Sequence, residues 1–270
     1  MDSQTTYRLG FIGSGKLAGS VIRGLLRAKF CSPNEIIASE PNETLRATLQ
    51  NEVGVHVTAE NAEAAEKADV VLVGVKPGVV LSILRETPIA DKLVISLAAG
   101  VRLQAMEASC HARLMRALTN TPSAICCAAT AIARGSRSTN EDVDLARKIF
   151  GAIGIVVEVE EAQIDAVTAL SGSGPAFVYA VIESLAKGGE KMGLSAEDAL
   201  TLATQTVLGA AQLATERKMS PEELCRMVVT PGGTTAAGLA AMEKLKTSEG
   251  LIAAVEAATK RGQEMAKENS

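Results

Sequence analysis

The chain has 270 residues and a formal net charge of −4; it is 47% hydrophobic, only 2% aromatic, and has no Trp. That length suits one large or two modest domains, and the composition asks for a core of Ala, Val, Leu and Ile, as in buried parallel sheets and close-packed helices. No Lys/Arg cluster interrupts the sequence and every apolar run is broken by Gly, Pro or charge, which argues against nucleic-acid and membrane partners.

The leader Met1 to Thr6 is too short for a signal or transit peptide, and cytoplasm is the default expectation. A strand is expected at residues 9–12, then Gly13-Ser14-Gly15-Lys16-Leu17-Ala18, then an apolar helix at 17–28. Strand, glycine turn and helix is the context of a dinucleotide fingerprint. Gly13 permits the tight turn, Gly15 lets the backbone approach a pyrophosphate, and Ala18 takes the third glycine's place between helix and strand. The helix N-terminus would face the phosphates with unpaired N–H groups. Gly10 to Lys16 also spells the start of a Walker A loop. Leu17 stands where Ser or Thr would hold magnesium, and Gly10 lies inside the strand, so phosphate hydrolysis is set aside.

Further strands are expected at 36–39, 53–57, 70–75, 93–97 and 113–118, alternating with helices at 43–50, 59–67 and 79–84. Two more strands, at 128–133 and 155–159, flank a helix at 141–152. This alternation predicts a Rossmann-type, mostly parallel sheet domain over residues 1–160. Ser39 and Glu40 end the second strand, where this fold reads the adenosine ribose. Glu40 favours the free hydroxyls of NAD if it points inward, Ser39 suits either dinucleotide, and Glu40 is equally readable as a solvated loop residue. Lys76, in Gly74-Val75-Lys76-Pro77-Gly78, and Asn120, in Asn120-Thr121-Pro122, fall at the carboxyl edge of the sheet. Each also has a plain reading, as a surface charge or a turn residue.

From residue 161 the pattern is all helical, with helices expected at 177–192, 196–216, 221–228, 234–244 and 248–267. The segment 196–216 is apolar nearly all round, so it is expected to be buried on every face. A helical domain over 161–270 with so much apolar surface predicts an obligate oligomer. Ser171-Gly172-Ser173-Gly174-Pro175-Ala176 reads as a helix start able to hold an anion, or as a linker. Thr230-Pro231-Gly232-Gly233-Thr234-Thr235 joins two helices, and its N–H groups and hydroxyls suit a carboxylate better than a simple capping turn would. The five cysteines are odd in number and lack C-x-x-C spacing, which predicts free thiols. Two distant histidines give no metal-ligand spacing, and no metal is expected.

At these residues the chain resembles the pyrroline-5-carboxylate reductases, which catalyse the last step of proline synthesis. The resemblance rests on Phe11 to Ala18, Val75-Lys76-Pro77, Ala98 to Val101, Thr119 to Pro122, Asp165 to Phe177, and Pro231 to Thr235 with Gly238-Leu239. It implies a two-domain oxidoreductase that reduces a cyclic imine to L-proline with NADPH, or alternatively NADH. It implies cofactor contacts at Ile12, Gly13, Ser14, Gly15, Lys16, Leu17, Ser39, Asn61, Val75, Lys76, Pro77, Ala98 and Asn120. Substrate contacts are implied at Glu161, Ser173, Thr230, Gly232, Gly233, Thr234 and Thr235, with Thr235 catalytic beside the ring nitrogen. It further implies that helical domains interlock into a dimer, that dimers build a decamer, and that the active site lies between one subunit's nucleotide domain and helices of the dimer. The chain departs from the family pattern at Cys225-Arg226, at Phe177 and at Glu40, where a small polar residue is common. The runner-up, a β-hydroxyacid dehydrogenase, would need Lys187 or Lys191 as acid/base; a nucleotide-binding protein without turnover is the non-enzymatic alternative.

The residue inventory suits imine chemistry. Reduction of a ketone makes an alkoxide and calls for a strong proton donor, and neither of the two His and neither of the two Tyr lies in the candidate loops. An imine that enters protonated leaves as a neutral amine and needs less acid help.

Overall fold

The computed structural model describes residues 7–269; the leader at 1–6 lies outside them. Contacts divide the chain into two compact units, residues 1–173 with 256–270, and residues 174–255. Sequence alone put the boundary at 160. Ile164 and Asp165 are buried within the first unit, as is Ala266, which groups these segments with the sheet.

The first unit is built on an eight-stranded sheet among the described residues. Its strands are β1 (Tyr7–Ile12), β2 (Ile36–Ser39), β3 (His56–Thr58), β4 (Ala68–Val73), β5 (Leu93–Ser96), β6 (Arg113–Leu118), β7 (Ala128–Arg134) and β8 (Gly154–Glu158), in the order β3-β2-β1-β4-β5-β6-β7-β8. Every pairing is parallel except β6 with β7. Crossovers are supplied by α1 (Lys16–Arg27), α2 (Glu43–Val53), α3 (Asn61–Glu66), α4 (Val80–Glu86), α5 (Leu103–Ser109) and α6 (Asn140–Gly151).

Period-two alternation assigns each strand residue to one of two cores. Leu9 and Phe11 of β1, with Val70 and Leu72 of β4, pack on Val21, Ile22 and Leu25 of α1 and on Ile149 and Phe150 of α6. Ile12, Val71 and Val73 pack on the other face, against Val80 and Leu84 of α4 and Met106 of α5. Both faces are covered, so the buried strand residues are mostly apolar, and each such side chain contributes about 1.5–3 kcal/mol by leaving water. Asn42 caps α2 as its sequence position predicts, accepting from the Leu45 N–H at 3.0 Å. The chain leaves β1 toward β2 and β3, then returns to place β4 on β1's other side. That reversal opens a crevice beyond the carboxyl ends of β1 and β4.

The second unit is helical. It comprises α8 (Gly174–Lys191), α9 (Ala196–Arg217), α10 (Pro221–Val228), α11 (Thr234–Lys244) and the first part of α12 (Thr247–Glu268); α7 (Ile164–Val167) belongs to the first unit. Its buried apolar cluster is small: Ala186, Ala199 and Ala203, with Ile182 packed against them. The expectation that α9 is buried on every face does not hold within one chain. Leu200, Leu202, Leu208 and Leu213 are 43–56% exposed. Too few helices surround α9 in one copy to cover it.

Candidate active site

The glycine loop follows β1 at the crevice. Gly13 has φ +81°, and a Cβ there would lie 2.6 Å from Val75 Cγ1, so the turn requires glycine. A Cβ on Gly74 would meet Ala18 Cβ at 2.7 Å. The close helix–strand packing that the fingerprint's third glycine provides is thus supplied from the other side, by Gly74 making room for Ala18. The loop is tied to both neighbouring strands: Gly13 N–H donates to Ser39 O at 3.0 Å and Gly74 N–H to Ile12 O at 2.8 Å. Gly15 is the N-cap of α1, and no side chain caps it, which leaves the first N–H groups of the helix for a ligand.

A cleft of about 380 Å³ lies beside this loop within the first unit. Of the residues expected to bind cofactor, Lys16, Leu17, Val75, Pro77, Ala98 and Asn120 line it. Ser39 and Asn61 meet each other instead, Ser39 Oγ donating to Asn61 Oδ1 at 2.7 Å beside the end of β2. Ile12 has its side chain wholly in the core and offers only main chain. Lys76 is exposed and does not line the cleft. Asn120 is spent on structure as well: its amide N–H donates to Ser171 O at 3.0 Å and its oxygen accepts from Ala129 N at 3.1 Å. Sequence reasoning missed Thr119 and Thr168, which also line the cleft. Thr119 falls between the expected strand at 113–118 and the Asn120-Thr121-Pro122 turn, and Thr168 begins a π-helix, Thr168–Gly172, that carries no local sequence signature.

The site suits a dinucleotide. Ser14 Oγ is buried in the loop with no hydrogen-bond partner among the described residues, so it is a donor awaiting an acceptor such as a phosphate oxygen. Gly15 has open space where a Cβ would be, which admits a ligand against the backbone.

The residues expected to hold substrate fall in different places. Glu161 does not face the cleft. Its carboxylate accepts from Leu103 N–H at the start of α5 and pairs with Arg116 Nη1 at 3.3 Å. Arg116 is 1% exposed; burial pulls its pKa below the ordinary arginine value, and Glu161 opposes the shift. Ser173 is not at a free helix start. The π-helix runs into it, and its N–H donates to Thr168 O at 2.8 Å. That donor is therefore not offered to an anion.

In the second unit, Thr230 to Gly233 forms a turn closed by Gly233 N–H to Thr230 O at 2.9 Å. Pro231 takes the second place and Gly232, at φ +69°, the third, as a type II turn requires. Gly233 then caps α11 without a side chain. So Gly233 gives no N–H to a ligand, and neither threonine is used as the cap. The early N–H groups of α11, at Thr234, Thr235 and Ala236, have no carbonyl a turn behind them to meet. This leaves donors and hydroxyls together at an exposed helix start. Lys187, the runner-up's candidate acid/base, donates to Glu183 Oε1 at 2.6 Å, and that bond raises its pKa, the wrong direction for a proton-shuttling lysine.

Comparison with known proteins agrees with this geometry. Residues 161–265 match the family described as pyrroline-5-carboxylate reductase dimerisation, and residues 8–100 match NADP oxidoreductase coenzyme F420-dependent. The pyrroline-5-carboxylate reductase of Methanosarcina acetivorans is 40% identical over 265 residues, covering 96% of this chain and 98% of that protein. Among solved structures, Plasmodium falciparum pyrroline carboxylate reductase with NADP bound superposes with a TM-score of 0.88 at 28% identity, covering 98% of this chain and all of that one. The Coxiella burnetii pyrroline-5-carboxylate reductase gives 0.87 at 35% identity, covering 97% and 99%. With a fold, a glycine loop and a helical half all matched over nearly its whole length, the chain belongs to the pyrroline-5-carboxylate reductase family.

Proposed function

We propose that this chain reduces the cyclic imine L-1-pyrroline-5-carboxylate to L-proline with NADPH or NADH. The observation that carries the reading is a dinucleotide loop at the sheet's switch point, in a chain 40% identical over its length to a reductase of that name. Bound there, the reduced nicotinamide supplies a hydride to the C=N carbon. The chain's own residues do the rest. Gly13, Ser14, Gly15, Lys16 and Leu17 hold the pyrophosphate from the loop and the α1 N-terminus. Ser39 and Asn61 flank the adenosine end, while Val75, Pro77, Ala98 and Asn120 wall the cleft and exclude water.

Substrate residues come from the second unit. The N–H groups and hydroxyls of Thr234 and Thr235, with Thr230 Oγ1, receive the carboxylate, and Gly232 and Gly233 let it approach. Thr235 Oγ1 orients the ring nitrogen. An imine that arrives protonated becomes a neutral amine on taking the hydride, so orientation carries more weight than acid strength. Glu161 steadies the wall of the nucleotide cleft through Arg116 and Ala98 rather than touching substrate. The helical domain, 161–270, follows the nucleotide domain, 1–160, and joins its copy in a dimer; dimers assemble into a decamer in the cytoplasm.

Replacing Thr235 by Ala tests the assignment. Turnover is expected to fall by roughly 10²–10³ with nucleotide affinity unchanged. Unaltered kcat would remove Thr235 from the chemistry.

A further inference from the structure

Glu40 ends the path of β2 into the crevice, and its side chain points inward. It is 9% exposed. Its Oε2 accepts from Ser14 N–H at 3.3 Å and its Oε1 from Asn42 N–H at 3.2 Å. The carboxylate thus reaches from the end of β2 to the glycine loop, the position from which this fold meets the adenosine ribose.

Among the described residues no cation pairs with its carboxylate. Both hydrogen-bond partners are neutral backbone N–H groups. Arg46 of α2 turns back onto the main chain, donating from Nη1 to Glu40 O at 2.7 Å and Pro41 O at 2.9 Å. The Ser39 hydroxyl is engaged with Asn61 Oδ1 at 2.7 Å and with Phe11 O at 3.3 Å. An inward carboxylate accepts hydrogen bonds well from two ribose hydroxyls. Against a 2′-phosphate, which carries about −1.5 to −2 charges, it is repulsive and has no proton to donate.

We propose that Glu40 sets this reductase's choice of dinucleotide and favours NADH over NADPH. The proposal rests on the glycine loop being a dinucleotide site, as in the function proposed above. Glu40 acts by contact with the ribose; bracing the Ser14 N–H is its duty when no nucleotide is present.

Calorimetric titration of the full chain with NADH and with NADPH, imine omitted, tests this without turnover. The wild type is expected to bind NADH about 10- to 100-fold more tightly, the range set by hydrogen bonds to a charged group. Glu40→Ser is expected to weaken NADH and tighten NADPH, reversing the order, with Glu40→Gln between the two. The kcat/KM ratio for the two nucleotides should follow the affinity ratio. Thermal melts of each variant show whether it is folded, and the Gln variant keeps the side chain's shape if Ser does not fold. Equal or tighter NADPH binding by the wild type overturns the proposal and leaves the reductase reading intact. So does a parallel loss of both nucleotides in the variants, the mark of a brace alone. Binding of neither nucleotide to the wild type overturns the reductase reading itself and this proposal with it.

Discussion

Arg116 is a charge inside the sheet. It alternates with Met115 and Ala117 on β6, so it falls on the face occupied by Leu114 and Leu118, where burial strips its water. Nη2 reaches Ala98 O at 3.5 Å, Nη1 meets Glu161, and Nε finds no partner among the described residues. Ala98 lines the cleft, so this half-buried pair steadies one of its walls. Removing one partner of such a pair costs more than the pair contributes, because a bare charge stays behind. Glu161→Ala should therefore destabilise the fold by about 3–5 kcal/mol in urea unfolding. An unchanged midpoint would show that the Glu161 carboxylate is free for substrate. Cys31 gives a pH-dependent effect of known sign. Burial, aided by Glu35 and opposed by Arg8, pushes its thiol up to about 11 from an ordinary value near 9. Between those values the unfolded chain releases a proton that the folded chain keeps, so stability falls as pH rises through 9 to 11. Melting temperatures across that window should drop less steeply in Cys31→Ser; parallel slopes would contradict the assignment.

At the scale of elements, α8 and α9 form the seam that gives the second unit its small core, and the leucines of α9 lie outside it. A helix with such a face is stable when a second copy covers it. The wild type is expected to sediment as a dimer or larger at micromolar concentration, and Leu208→Glu to dissociate it. A stable wild-type monomer would end that reading. Elements with clear periodicity were legible in the sequence: β2, β6, α10 and α11 fall on the expected residues. The strand expected at 53–57 begins only at His56, because Gly54, at φ +73°, ends α2 after Val53. A Val-rich run cannot reveal that its first residue closes a helix. The short α5 and the π-helix at Thr168–Gly172 were missed; neither is long enough to establish a period. Within the site, the glycine loop was legible because its backbone demands glycine. The occupation of Glu161 by Arg116 was not, because it joins residues far apart in the chain.

For the whole molecule, a closed α/β unit carries the nucleotide loop and an open helical unit carries the Thr230 to Thr235 turn. No helix among the described residues is long and apolar enough to cross a membrane. The first unit presents backbone donors at its glycine loop, and the second presents hydroxyls and helix N–H groups at the Thr230 to Thr235 turn. Neither offers a His or Tyr acid in its candidate loops, which suits an imine better than a ketone. The most direct test supplies the full-length protein with L-1-pyrroline-5-carboxylate and either reduced dinucleotide, and follows nicotinamide oxidation and L-proline together. The account predicts one L-proline formed per dinucleotide oxidised, and no oxidation of 3-hydroxyisobutyrate in the reverse assay. Nucleotide binding without proline formation would contradict it.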